Sequence, residues 1–97
     1  MTLEEATKDI INTSDGADPV GATFKFVFEE GTIHVDGTGD PAIVTNEDKE
    51  ADCALHMKMA TYEKLKSGKL SPTMALMTGK VKVKGDMSIA LKLQNYI

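Results

Sequence analysis

The sequence predicts an α+β fold in which helices cover one face of a five-stranded sheet. Apolar and polar side chains alternate along several short segments, as expected for strands with one buried face. Segments with helical spacing stand at both ends of the chain and before the last strand, and turns rich in glycine separate neighbouring segments. The predicted order is helix, four strands, two helices, strand and helix.

The N-terminal half of the chain contains the first helix and three strands. Thr2 is a helix cap, and Glu5 stands at the capping-box position three residues later. Because only tight turns separate the three strands, we expect them to be antiparallel neighbours. These strands are predicted over residues 22–30, 32–36 and 42–46.

The C-terminal half of the chain contains the other two strands and three helices. Because a helical crossover separates the fourth strand from the fifth, we expect these two strands to be parallel. Pro72 after Ser71 is typical of a helix start, since the first helical N–H needs no partner. The elements are predicted as a strand over residues 51–59, a helix that Thr61 caps, a helix that Ser71 caps, a strand over residues 80–84, and a helix from Asp86 to Ile97.

One face of the predicted sheet is apolar. Three phenylalanines alternate along the first strand, and Ile33, Cys53, Leu55 and Met57 continue the face on other strands. We therefore expect the helices to cover this face. On the fifth strand the valines join it, and a row of lysines points away and protects an edge strand from pairing with other chains. The lysines are Lys80, Lys82 and Lys84.

Length and composition narrow the classes of function. Ninety-seven residues suit one domain, over residues 1–97. All eleven basic residues are lysines and the net charge is −4, which disfavours nucleic acid as a partner. One cysteine cannot form an internal disulfide, and no run approaches the ~20 apolar residues of a membrane span or forms a signal peptide. We expect a monomeric, cytoplasmic protein.

The charges are unevenly distributed. Residues 1–48 contain two lysines and eleven acidic residues, whereas residues 49–97 contain nine lysines and four acidic residues. Two interpretations remain open. The two charged faces keep the protein in solution, or the lysine face makes transient contact with anionic membrane headgroups or with a coenzyme A phosphate.

The sequence does not bring together a nucleophile, a base and an orienting group. Asp36 stands at a turn, where a surface carboxylate is expected. Cys53 and His56 are three residues apart on a strand, so they point to opposite faces and cannot act on one ligand. We predict no catalytic residue, metal or cofactor. Tyr62 and Tyr96 are expected to pack their rings and leave their hydroxyls at the surface.

The C-terminal third of the chain resembles a known family. Residues 77–94 read M-T-G-K-V-K-V-K-G-D-M-S-I-A-L-K-L-Q, and residues 67–76 before them read S-G-K-L-S-P-T-M-A-L. This pattern resembles the signature of the sterol carrier protein 2 family, specifically over residues 51–97 and more loosely over residues 20–50. The resemblance implies a stand-alone bacterial-type member that is not an enzyme. It also implies that sheet and helices enclose an apolar tunnel for sterols, fatty acids, acyl-CoAs or phospholipids.

A plain packed core would also explain the apolar face. Two features favour a cavity: six methionines in 97 residues, which suit adaptable binding surfaces, and a last helix with more apolar surface than one contact needs. An empty tunnel of ~300 Å³ would cost about 7 kcal/mol, so we expect the protein without lipid to be soft or partly collapsed. The candidate lipid-binding residues are Phe24, Phe26, Phe28, Ile33, Met57, Met59, Met74, Met77, Met87, Leu91 and Leu93.

Three hypotheses of function follow from these observations. The first is a lipid carrier that buries one ligand by apolar contact, with the C-terminal helix as a movable cover. The second is an accessory module that meets a protein partner beside a lipid-metabolising enzyme. The third is an enzyme, and it has the least support because no catalytic group of residues is evident.

Overall fold

The structure is a computed structural model that describes residues 1–96. Ile97, which the sequence places in the last helix, lies outside the described residues. The elements follow the predicted order. They are α1 (Leu3–Ser14), β1 (Thr23–Phe28), β2 (Gly31–Asp36), β3 (Ile43–Thr45), β4 (Cys53–Met57), α2 (Met59–Lys66), α3 (Pro72–Met77), β5 (Val81–Gly85), α4 (Met87–Lys92) and a 3₁₀-helix (Leu93–Tyr96).

The five strands form one sheet in the order β3-β2-β1-β4-β5. The antiparallel pairing of β1 with β2 and of β2 with β3 confirms the prediction from their short turns. The central pair, β1 and β4, is parallel. The α+β class and the mostly antiparallel sheet are therefore confirmed.

The predicted parallel pairing of the fourth and fifth strands is wrong. β4 and β5 are antiparallel, and Met57 at the end of β4 pairs with Val81 at the start of β5. The connection contains both predicted helices, α2 and α3. The second helix adds a reversal of the chain, so β5 starts at the end of the sheet where β4 finishes.

Predicted caps begin three of the helices. The Thr2 side chain accepts a hydrogen bond from the Glu5 backbone N–H at 3.1 Å, and the Glu5 carboxylate accepts one from the Thr2 N–H at 3.0 Å. The hydroxyl of Ser71 accepts from the N–H of Met74 at 3.1 Å at the start of α3. The carboxylate of Asp86 accepts from the N–H of Ser88 at 2.9 Å at the start of α4. These bonds satisfy N–H groups that a helix start otherwise leaves unpaired.

The predicted cap of α2 is wrong. The helix begins at Met59, two residues before Thr61. Thr61 therefore lies within the first turn of the helix, and it is buried. This earlier start places Met59, Tyr62 and Leu65 at helical spacing, and all three are buried. The common burial of this apolar face accounts for the start better than a capping hydroxyl would.

The core lies between the sheet and the helices. The three phenylalanines of β1 are buried on the inner face, as the period of two predicted. The ring of Tyr62 packs edge-on against Phe26 and Phe28, with centroids 6.3 and 5.7 Å apart. Ala6 and Ile10 bring α1 into the same cluster. The helices therefore cover the apolar face.

The segment of residues 46–52 covers part of the outer face of the sheet. The Nζ atom of Lys25 lies 2.9 Å from a carboxylate oxygen of Asp48, and the Nε2 atom of His34 lies 3.1 Å from the carbonyl oxygen of Glu50. His34 is consequently buried although it is on the outer face. The β4–β5 side of this face keeps exposed lysines. Among the described residues, no helix has the length and apolar character needed to cross a membrane.

Candidate functional site

Seven of the eleven candidate lipid-binding residues are packed in the core. Each of them is at most 7% exposed. The rings of Phe24 and Tyr96 meet edge-on with centroids 5.2 Å apart, which joins the sheet to the C-terminal 3₁₀-helix. The seven residues are Phe24, Phe26, Phe28, Ile33, Met57, Met59 and Leu93.

The other four candidates are exposed on the two helices that flank β5. Met74 and Met77 on α3 are 49% and 77% exposed, and Met87 and Leu91 on α4 are 52% and 56% exposed. The inner side of α3 is formed by Ala75, its one buried residue among those described. Both helices therefore leave long apolar side chains in contact with solvent.

The exposed residues lie beside one edge of the sheet. α3 ends four residues before β5 begins, and α4 begins two residues after β5 ends. Both helices contact β5, and α4 also contacts β4. Between them Val83 is half-buried on the inner face of β5, opposite Leu55 of β4. The structure divides the eleven candidates into a packed inner group of seven residues and an exposed group of four residues on α3 and α4. Their assignment to one lipid site stays a prediction.

A second feature is a cleft of about 690 Å³ at one end of the sheet. We call it the lysine cleft because four lysines line it. Val27 and His56, which are paired across β1 and β4, also line it. The alternation of the fifth strand predicted outward lysines, but it could not show that lysines from α2 would join them. The four lysines are Lys58, Lys64, Lys80 and Lys82.

The titratable side chains of β4 have opposite surroundings. Burial on the inner face raises the pKa of the Cys53 thiol, with a smaller contribution from the charge of Asp86, so the thiol is a poor nucleophile. Partial burial lowers the pKa of His56 on the outer face, and the charges of Lys84 and Lys25 lower it further. In the part of the chain that the structure describes, no three potential ligands are arranged to hold a metal ion.

The expected surface position of the tyrosine hydroxyls is wrong for Tyr62. Its side chain is fully buried, and its hydroxyl donates a hydrogen bond to Asp9 at 2.7 Å. The tyrosine lies on α2 and its partner on α1, so the contact depends on how two distant segments pack. Burial, followed by the hydrogen bond and the charge of Asp9, raises the pKa of the phenol. Tyr96 is also buried, which raises its pKa.

The five-stranded mixed sheet, with helices over its apolar inner face, defines a small α+β domain. The sequence profile of the SCP-2 sterol transfer family matches residues 3–97, and the chain belongs to this family. Human sterol carrier protein 2 is 34% identical over 83 residues, which cover 78% of this chain and 15% of that protein. The chain thus matches less than a sixth of the length of this relative.

Solved structures show the same fold. Sterol carrier protein 2-like 2 of Aedes aegypti superposes with a TM-score of 0.81 at 19% identity, over 98% of this chain and 95% of that one. The palmitated form of the Aedes aegypti protein gives a TM-score of 0.73 at 20% identity, over 97% and 92% of the two chains. At these identities the likeness concerns the fold.

Proposed function

We propose that this protein binds a lipid without covalent chemistry and transfers it between membranes or enzymes. The ligand class is a molecule with one long apolar part: a fatty acid, a fatty acyl-CoA, a sterol or a phospholipid. The observation that carries the proposal is the exposure of four long apolar side chains on α3 and α4. Membership of a sterol transfer family and the palmitated fold neighbour support the same class.

The exposed residues provide the entry to the proposed site. Burying apolar surface is worth roughly 25 cal/mol per Å², so a lipid that covers Met74, Met77, Met87 and Leu91 gains from each of them. The ligand would lie over the inner face of β5, between α3 and α4, with Val83 beneath it. From there its apolar end reaches toward the buried group of candidate residues.

The flanking helices are suited to a movable cover. α3 and α4 have six residues each, which is far below the ~12–15 residues that an isolated helix needs in water. Their positions therefore depend on contacts with the sheet, and α3 contributes one fully buried residue, Ala75, with Leu76 partly buried against the core. A lipid that replaces part of this contact can displace the helix at small cost.

Transfer requires that binding is not much tighter than partition into a bilayer. Each buried CH₂ group gains about 0.8 kcal/mol relative to water, and a membrane interior offers the same gain. Exposed lysines at the β5 edge of the sheet would attract the protein to an anionic bilayer, and each would contribute about 1 kcal/mol to this attraction. They are Lys80 just before β5, Lys82 and Lys84 on β5, and Lys92 on α4.

Titration of delipidated protein with a fluorescent fatty acid tests this function. We expect the fluorescent fatty acid to bind saturably. Unlabelled palmitate and a sterol should displace it, each in proportion to its own affinity. A ligand at 100 times its dissociation constant should also stabilise the fold by about 2.7 kcal/mol. If neither an acyl chain nor a sterol binds below roughly 100 μM, the carrier function is wrong.

A further inference from the structure

The lysine cleft lies apart from the exposed apolar residues of α3 and α4, and of the eleven candidate lipid-binding residues it shares only Phe28 and Met57. It lies where the C-terminal ends of β1 and β4 meet the N-terminal end of β5 and the first turns of α2. Its volume of about 690 Å³ falls within the ~300–1,000 Å³ of small-molecule sites. Met74, Met77, Met87 and Leu91 do not line it.

The floor of the lysine cleft is apolar and firmly held. Val27 on β1 is half-buried, and Phe28 and Met57 beside it belong to the packed core. Ala60 extends this apolar surface onto α2. The cleft therefore offers a fixed apolar surface on which a small organic group can rest.

The rim of the lysine cleft carries uncompensated positive charge. Within residues 1–96 none of its four lysines forms an ion pair, whereas Lys25 and Lys66 elsewhere pair with Asp48 and Asp9. Glu29 is the acidic residue that lines the cleft. Four ammonium groups around one concavity repel one another, and a bound anion relieves that repulsion.

We propose that the lysine cleft binds a soluble phosphate monoester whose organic group is apolar. A phosphate monoester carries about −1.5 to −2 charges at pH 7 and offers three acceptor oxygens. Lysine ammonium groups bind phosphate as point charges and need no bidentate geometry, which fits a site built without arginine. The phosphate would lie among the four lysines, and the organic group would lie on Val27, Phe28 and Met57.

His56 provides a direct reporter of occupancy. It lines the cleft beside Lys82, its cross-strand partner on β5. Burial lowers its pKa, the charges of Lys84 and Lys25 lower it further, and Asp48 raises it slightly. A dianion in the cleft favours the imidazolium, so the pKa of His56 should rise when the site fills.

Hexyl phosphate is the probe, and histidine NMR is the measurement. The chain has two histidines, and His34 lies outside the cleft beneath residues 46–52. We expect hexyl phosphate to shift the His56 imidazole signals saturably, to raise its pKa and to leave His34 unchanged. Hexyl phosphate should bind about fivefold more tightly than inorganic phosphate, because its chain adds apolar contact. Hexanol should cause no shift.

Two variants separate charge from apolar contact. Lys64→Gln with Lys82→Gln should weaken hexyl phosphate binding about tenfold, because each lysine contributes a charge contact. Lys8→Gln with Lys69→Gln is the matched control, since it changes the net charge equally outside the cleft. Val27→Thr keeps the side-chain shape and should reduce the preference for hexyl over inorganic phosphate to less than twofold. Thermal melting of each variant verifies its fold.

Three results would overturn the proposal. Equal shifts of His34 and His56, or equal weakening by the control variant, would mean non-specific attraction. A response to vesicles that contain phosphatidate but not to hexyl phosphate would assign the lysines to a membrane surface. No response of His56 to any phosphate would exclude the site. Lipid carriage is tested separately, because Met74→Gln with Met77→Gln should leave hexyl phosphate binding unchanged.

Discussion

The hydroxyl of Tyr62 donates a hydrogen bond to Oδ2 of Asp9 at 2.7 Å and so joins α2 to α1. The Nζ atom of Lys66 lies 3.4 Å from the same carboxylate oxygen and donates to the carbonyl oxygen of Tyr96 at 3.2 Å. One turn of α2 therefore holds α1 and the C-terminal 3₁₀-helix together. Since the ring of Tyr62 also packs on Phe26, the polar cluster fastens the helical layer onto the sheet.

The Tyr62–Asp9 hydrogen bond should contribute measurably to stability. We expect Tyr62→Phe to lower the free energy of unfolding by about 1–2 kcal/mol, because the ring still packs while a partly buried carboxylate loses a donor. Urea denaturation measures the change. Tyr96→Phe is the control, since Tyr96 is also buried but its hydroxyl does not bond to Asp9, and it should change stability by less than ~0.5 kcal/mol. Equal effects of the two substitutions would contradict a role for this bond.

Stability should fall at alkaline pH. The pKa values of both tyrosines in the chain are raised above the ordinary value of 10, at Tyr62 by burial and then by Asp9, and at Tyr96 by burial. In the unfolded chain the phenols lose their protons near pH 10, whereas in the folded protein the raised pKa values move this loss to higher pH. The stabilising effect is therefore complete below pH 10 and decreases as the pH rises above it.

Urea unfolding across this pH range, together with phenolate absorbance, tests the prediction. The phenolate of Tyr62 should appear only as the protein unfolds, and Tyr62→Phe should make stability less sensitive to alkaline pH. Native protein that forms phenolate near pH 10 with an unchanged circular dichroism spectrum would refute the assignment.

Gly85 should be irreplaceable at the junction of β5 and α4. Its φ angle is +103°, and a Cβ atom there would lie 2.3 Å from the backbone oxygen of Asp52. That oxygen also accepts the N–H of Asp86 at 2.9 Å, so it cannot move away freely. We expect Gly85→Ala to cost more than about 2 kcal/mol of unfolding free energy, because strain and collision add. Gly39→Ala is the control and should be nearly neutral, because an added Cβ atom there meets no other atom. Equal melting temperatures of the two variants would show that the collision with the Asp52 oxygen is relieved by a shift of the backbone.

The exposed methionines of α3 should affect lipid affinity more than stability. Met74→Gln with Met77→Gln should weaken fatty acid binding about tenfold, which corresponds to the loss of about 1.4 kcal/mol of apolar contact. The melting temperature should change little, because both side chains already face solvent. Ile43→Gln is the matched control: Ile43 is 61% exposed on β3, at the opposite edge of the sheet. A similar loss of affinity in this variant would argue against a site beside β5.

Local patterns predicted much of the fold. The alternation of Phe24, Phe26 and Phe28 determined which face of β1 is buried, because successive strand residues point to opposite sides. The caps at Thr2, Ser71 and Asp86 were also recognisable, since each interaction spans no more than three residues. The resemblance of residues 67–94 correctly indicated the family that the profile match shows.

The candidate lipid site was predicted as one group and is divided in the structure. Sequence spacing showed that Met74 and Met77 share a helix, but it could not show that Ala75 would be the residue turned to the core. The lysine cleft was not predicted at all. Lys64 and Lys82 are eighteen residues apart, and their proximity depends on how α2 packs at the end of the sheet.

By itself, the sequence determined the class of fold, the buried face of each long strand, most helix starts and the family. These properties depend on residues close together in the chain, whose geometry is set by backbone periodicity and short-range hydrogen bonds. Only the tertiary structure decided the antiparallel direction of β5, the Tyr62–Asp9 contact and the lysine cleft. Each of these depends on how separate segments pack together, because packing free energy belongs to the whole assembly rather than to any one segment.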